Sequence, residues 1–161
     1  MRPELGDEYC DALMALYKGR VQGLPDLCCY WFERARSEIE SGTTRRAGLL
    51  ATQAIRGRSN RQVLESITAT GDIFWAWADR DWVLDGASVH VSMIAFDDGS
   101  ESTRRLDGER VDSINTNLTA GHDLTEAVKL PENAGLSFQG IVPRGRFTVT
   151  PDEYLDLISR A

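Results

Sequence analysis

The sequence predicts an α/β chain: half of an open sheet, with flanking helices and an antiparallel end. Three observations lead there. Arg46-Ala47-Gly48-Leu49-Leu50-Ala51-Thr52-Gln53-Ala54-Ile55 is an apolar run with no alternation, the pattern of a central parallel strand buried on both faces. Helical segments stand before and after it. Beyond them, Ile73 to Ala78 is a dense aromatic run and Val89 to Phe96 alternates with period two, and both read as strands. The expected order is helix, helix, strand, helix, strand, strand, hairpin. A complete doubly wound sheet would repeat the βα unit several more times.

The elements follow in order. Met1 to Gly6 reads as loose. Tyr9, Cys10, Leu13, Met14, Leu16 and Tyr17 form a helical stripe from Asp7 to Tyr17, stopped at Gly19. Gly23-Leu24-Pro25 is a turn, and Asp26 is the expected N-cap of a helix from Leu27 to Ser41. That helix presents Leu27, Cys28, Trp31, Phe32, Ala35 and Ile39 to a core and places Glu33, Arg34, Arg36, Ser37, Glu38 and Glu40 opposite. Arg56 to Asn60 is a polar exit loop from the apolar strand. Val63, Leu64 and Ile67 mark a short helix over Arg61 to Thr68, broken at Gly71-Asp72. Asp79 to Gly86 reads as a loop around Trp82, and Asp97 to Glu101 as a turn. Asp107-Gly108 between short flanks is a hairpin signal. Pro131 to Gly145, rich in Gly, Pro and Asn, reads as a linker. Phe147 to Val149 would add a strand, and Thr150 with Pro151 would open a final helix to Ile158.

The totals set outer bounds. The chain has 161 residues and a net charge of −7, enough length for one real core and a balance that argues against holding DNA by itself. No apolar run approaches a membrane span, and the polar N-terminus is unlike a secretory signal, so the expected compartment is the cytoplasm. Cys10, Cys28 and Cys29 are an odd set with two neighbours, a poor disulfide framework. His90 and His122 lie far from them, so no metal site is expected. Ser59, Ser92 and Ser137 lack a nucleophile context.

Several stretches taken together resemble the adenine-N6 DNA methyltransferase domain of the single-chain type IIG/IIL restriction-modification enzymes. They are Asp26-Leu27-Cys28-Cys29-Tyr30-Trp31-Phe32-Glu33-Arg34-Ala35, Arg46 to Gly57, Gly71-Asp72-Ile73-Phe74-Trp75-Ala76-Trp77, Asp81 to Val89, and Val91 to Gly99. Their order and spacing carry the likeness, which runs from about Met1 to about Phe147. The resemblance implies a partial Rossmann-like sheet of an S-adenosylmethionine-dependent methyltransferase. It also implies a register. Residues 1–130 would be the C-terminal half of the catalytic domain, and residues 131–161 a linker and the start of the target-recognition region.

In that family the catalytic Asn-Pro-Pro-aromatic loop and the glycine loop for S-adenosylmethionine would lie upstream of this chain's first residue. No proline here follows Asn, and no cofactor loop of the Asp/Glu-x-x-x-Gly-x-Gly kind ends a strand. Transfer to adenine N6 needs a flipped base held in line with the methyl donor. The expectation is therefore no turnover and no S-adenosylmethionine binding by this chain alone, with no catalytic residue of its own. DNA would be a partner in the full enzyme. A truncated sheet would also favour a homo-oligomer through its cut face.

Trp82 is the expected base-stacking residue, because in the family the loop after the central strands brings an aromatic to the flipped base. The plainer alternative is a surface plug. Gln53 and Arg56 fall at the carboxyl end of the expected central strand, where ligands of open sheets gather. Arg56, Arg58 and Arg61 flank the exit loop and are the candidate phosphate contacts, against a solvated charged face. Asp85-Gly86-Ala87-Ser88 reads as a turn. Phe32, Trp31, Phe74, Trp75 and Trp77 read as core or interface, and His90 as structural, without an acid partner.

Overall fold

Helix α3 (Cys28–Glu40) and helix α4 (Gln62–Thr70) lie against one face of a five-stranded sheet. The computed structural model describes residues 2–23, 25–57, 59–84, 86–121, 131–133, 135 and 159. Short α1 (Arg2–Leu5) and α2 (Asp7–Leu16) precede these elements. The strands are β1 (Arg46–Thr52), β2 (Asp72–Leu84), β3 (Ala87–Asp97), β4 (Arg104–Leu106) and β5 (Glu109–Val111), in the order β1-β3-β2-β4-β5. The chain falls into two compact units, Met1–Glu126 and Ala127–Ala161. In the second, the described residues include a 3-10 helix at Pro131–Asn133. The expected strand at 147–149 and helix at 151–158 lie outside the described residues, as does most of the expected linker.

The core forms where the helical stripes meet alternate strand positions. Phe32 and Ile39 from α3 and Val63, Leu64 and Ile67 from α4 pack on Ala51, Ile73, Ala76, Ile94 and Phe96. Phe32 and Phe96 stack with ring centroids 6.0 Å apart. Each such large side chain is worth roughly 1.5–3 kcal/mol when buried. Gly71 makes the tight crossover into β2 possible, because a β-carbon there would run into the backbone carbonyl of Asp97. The β4–β5 hairpin turns at Asp107 and Gly108, both at positive φ (52° and 90°), as a two-residue loop of this kind requires.

Five expectations change. The N-terminus, expected loose from Met1 to Gly6, is helical over Arg2–Leu5. The apolar run is not a central strand. Among the described residues β1 is the edge of the sheet, paired antiparallel to β3 alone, and Gln53–Arg56 winds into a 3-10 helix. It shares its direction with β2, since β3 runs antiparallel to both, but β3 lies between them. Its two faces also differ: Ala47, Leu49 and Ala51 turn toward the helices, whereas Leu50 on the other side is 46% exposed. Gly48 has no side chain and its neighbours are small, so the run hides the alternation.

In α3, Trp31 is 65% exposed, while Glu33, expected on the solvent face, is fully buried. Glu33 is accepted there because Arg36 donates to both its oxygens at 2.7 and 3.0 Å. Asp26 does not cap α3, which begins at Cys28 with Leu27 in the N-cap position and no side-chain cap. The Asp26 carboxylate accepts from Asn60 Nδ2 at 2.7 Å instead. Finally, β2 continues through the expected 79–86 loop to Leu84, so Trp82 is a strand residue facing Val89.

Candidate functional site

The carboxyl end of β1 and the long β2–β3 hairpin bring five polar side chains together. After Thr52 the chain tightens into the 3-10 helix Gln53–Arg56. This turn folds Arg56 back so that its Nη2 donates to Gln53 Oε1 at 3.0 Å and to Asp79 Oδ2 at 3.0 Å. Asp79 occupies a β-bulge: the register with β3 slips between Trp77 and Arg80. A bulge re-aims the side chain it carries, and here it delivers Asp79 to Arg56. The other Asp79 oxygen, Oδ1, lies 2.8 Å from His90 Nδ1, and His90 Nε2 lies 3.6 Å from Asp81 Oδ1. Asp81 and His90 are direct cross-strand partners.

His90 thus has the acid partner the sequence did not reveal, and its side chain is 59% exposed. The signal was present in the spacing, since Asp81 and His90 stand three positions back on either side of the Leu84–Ala87 pair. Chemically the cluster is an anchored guanidinium. The Gln53 side-chain oxygen and the Asp79 carboxylate fix Arg56, whose fork suits phosphate and carboxylate oxygens. With one arginine beside Asp79 and Asp81 the cluster carries no excess positive charge, so it orients a ligand more than it attracts one. No group of three or more His, Cys, Asp or Glu residues fit to hold a metal occurs among the described residues.

The other expected site residues divide. Arg61 donates to Glu65 Oε1 at 3.0 Å along α4, an ion pair of the helix surface. Arg58 lies outside the described residues. Trp82 is 42% exposed but sits on the other side of the sheet from the Arg56 cluster. Strand neighbours alternate between faces, so Asp81 and His90 point one way, and Trp82 and Val89 the other. Gln53 and Arg56 are therefore brought together, and Trp82 shares only their end of the sheet.

No family model matches the chain, and no curated protein matches it. A solved structure of the type IIL restriction-modification enzyme MmeI in complex with DNA is similar in fold, with a TM-score of 0.57 and 21% sequence identity over 70% of this chain. The chain spans 17% of the length of that enzyme. The likeness is one of fold, and in this chain that fold is a mixed α/β arrangement of a five-stranded sheet with helices on one face.

Proposed function

We propose that this chain is a portion of an adenine-N6 DNA methyltransferase from a restriction-modification system, corresponding to the C-terminal half of a Rossmann-like catalytic domain. Residues 131–161 lead toward the target-recognition region. The observation that carries the reading is the fold shared with the type IIL enzyme over 70% of the chain, coupled to the ordered stretches of similar sequence. A second feature agrees with it. β1 and β2 run the same way with α4 between them, and β1 has no strand on its outer edge among the described residues. That edge suits another strand of a larger sheet.

S-adenosylmethionine supplies the methyl group in such enzymes, and the described residues do not fit it. β1 ends in a 3-10 helix whose Arg56 is committed to Asp79, with no glycine loop leading into a long helix. No step is therefore assigned to the cofactor here. The chain's own contribution is to the DNA. Arg56, held by Gln53 and Asp79, contacts a phosphate beside the strand end, and Arg58, two residues on in sequence, is the second candidate. Trp82 offers its ring to the extruded base, a stack worth roughly 1–3 kcal/mol. Arg61 is withdrawn from this role by Glu65.

The test is methyl transfer from labelled S-adenosylmethionine to adenine N6 of duplex DNA. The chain alone transfers none. Mixed with a polypeptide bearing the glycine and Asn-Pro-Pro-aromatic loops, it restores transfer, and Trp82→Ala lowers the restored rate. Transfer by the chain alone contradicts the reading.

One observation favours a second reading, a non-catalytic remnant that self-associates. β1 carries one charge, no proline and no register shift against β3, so its edge lacks the usual guards against pairing. Sedimentation at increasing concentration separates the two: a monomer throughout removes the second.

A further inference from the structure

The sheet face turned away from α3 and α4 carries a pattern of which the methyl-transfer reading uses Trp82 alone. Register and alternation place Leu50, Met93, Trp75, Trp77, Arg80 and Trp82 on it. Trp75 pairs with Arg105 of β4, which in turn opposes Arg110 of β5, so these two arginines share the face. The parity is confirmed from the other side, where Ala76, Leu106 and Val111 belong to the helix-covered core. Trp75 and Trp77 meet edge to face at 6.2 Å. The Arg80 guanidinium lies 4.1 Å from the Trp77 ring centre, and Arg46 lies 5.2 Å from that of Phe74.

Charge on this face opposes that of the whole chain. The chain is at −7, yet Arg80, Arg105 and Arg110 have no carboxylate within ion-pair distance among the described residues. The acids at the sheet's end are already taken. Asp97 accepts from the backbone of Gly99 and Glu101, and Asp72 from Arg104. Asp79 turns through its bulge to Arg56 and His90. What remains is part-exposed indole interleaved with guanidinium that has no carboxylate partner among the described residues, Arg105 donating only to the Gly108 carbonyl at 3.2 Å, spread over five strands or about 19 Å at the usual strand spacing.

We infer that this face binds single-stranded nucleic acid, its bases stacking on the Trp75–Trp77–Arg80 platform and its phosphates meeting Arg105 and Arg110. The combination of a cationic track with aromatic platforms is what sequence-tolerant single-strand binding requires. Guanidinium planes serve as stacking surfaces as well. A second copy of this chain fits less well, because a face-to-face pair would set the same unpaired arginines against each other. An apolar helix would bury them without acceptors. The face is distinct from the Arg56 cluster, and the inference stands or falls apart from the methyltransferase reading.

The experiment is fluorescence anisotropy of labelled 12-residue oligo-dT and oligo-rU with the full chain over a range of salt, read together with tryptophan emission. Expected are saturable binding to either strand, quenching of tryptophan, and an affinity that falls with salt. The Arg105→Glu/Arg110→Glu variant keeps a like-charged cross-strand pair, so circular dichroism stays unchanged. It weakens binding by on the order of tenfold and flattens the salt slope by about 0.7 per arginine removed. Arg80→Gln weakens binding and reduces the quenching. The inference is overturned by no binding at a protein concentration of about 100 μM. It is overturned equally by an affinity and slope untouched in the double variant, or by duplex DNA binding as tightly as the single strands.

Discussion

Asp26 and Asn60, 34 residues apart in sequence, hold each other by two hydrogen bonds: Asp26 N–H donates to Asn60 Oδ1 at 2.9 Å, and Asn60 Nδ2 donates to Asp26 Oδ2 at 2.7 Å. Asn60 Nδ2 also approaches the Ala54 carbonyl at 3.4 Å. One nearly buried amide therefore ties the start of α3 to the 3-10 helix that presents Arg56. The site's geometry depends on a residue that touches no ligand.

Asn60→Ala leaves the Asp26 N–H and carboxylate without this partner. A loss of roughly 1–3 kcal/mol is expected, read as a lower urea midpoint with an unchanged slope. Asn60→Asp sets two carboxylates against each other and destabilises further at neutral pH. An unchanged midpoint in both variants would show that the pair does not hold the loop.

The buried acid in α3 makes a second case. Glu33 is fully buried and is held by Arg36, whose side chain is 13% exposed. Arg36→Ala strands that charge, at a cost of about 3–5 kcal/mol. Replacing both residues with methionine recovers most of the loss, because the pair's own desolvation is removed along with it. The measurement is equilibrium unfolding of the single and double variants. A double variant no more stable than Arg36→Ala would contradict it.

Thiol chemistry gives a third. Cys10 and Cys29 are buried and Cys28 is part-exposed. The side-chain interaction with Cys29 holds the Cys28 thiol below its usual range, and the same interaction together with burial pushes Cys29 up. A lowered value means more thiolate at a given pH. Alkylation by iodoacetamide should therefore mark Cys28 first, with a pH midpoint below the ordinary thiol value of about 8.5. A midpoint at or above that value contradicts it.

Much of the helical layer was legible in the sequence, because Val63, Leu64 and Ile67 recur at helical spacing and reach the core as that spacing requires. The Asp107-Gly108 turn was legible for its backbone chemistry. The place of β1 was not. Local composition reports how apolar a strand is, not which strands lie beside it, and Gly48 with Ala47 and Ala51 blurs the period. Charge misled at Asp79 to Asp81. The hairpin continues past the strands' helix-covered part, where both faces meet water, so a strand there looks like a loop. Of the site, Gln53 and Arg56 followed from strand-end position. Asp79 and His90 did not, because a β-bulge, invisible in the residue pattern, aims the acid that joins them.

The central claim is that this chain carries one half of a methyltransferase domain and no cofactor bed. Titration calorimetry of S-adenosylmethionine into the purified chain, without DNA, tests it most directly. The account predicts no heat beyond dilution. Saturable binding in the micromolar range would contradict it and identify the chain as a cofactor-binding methyltransferase in its own right.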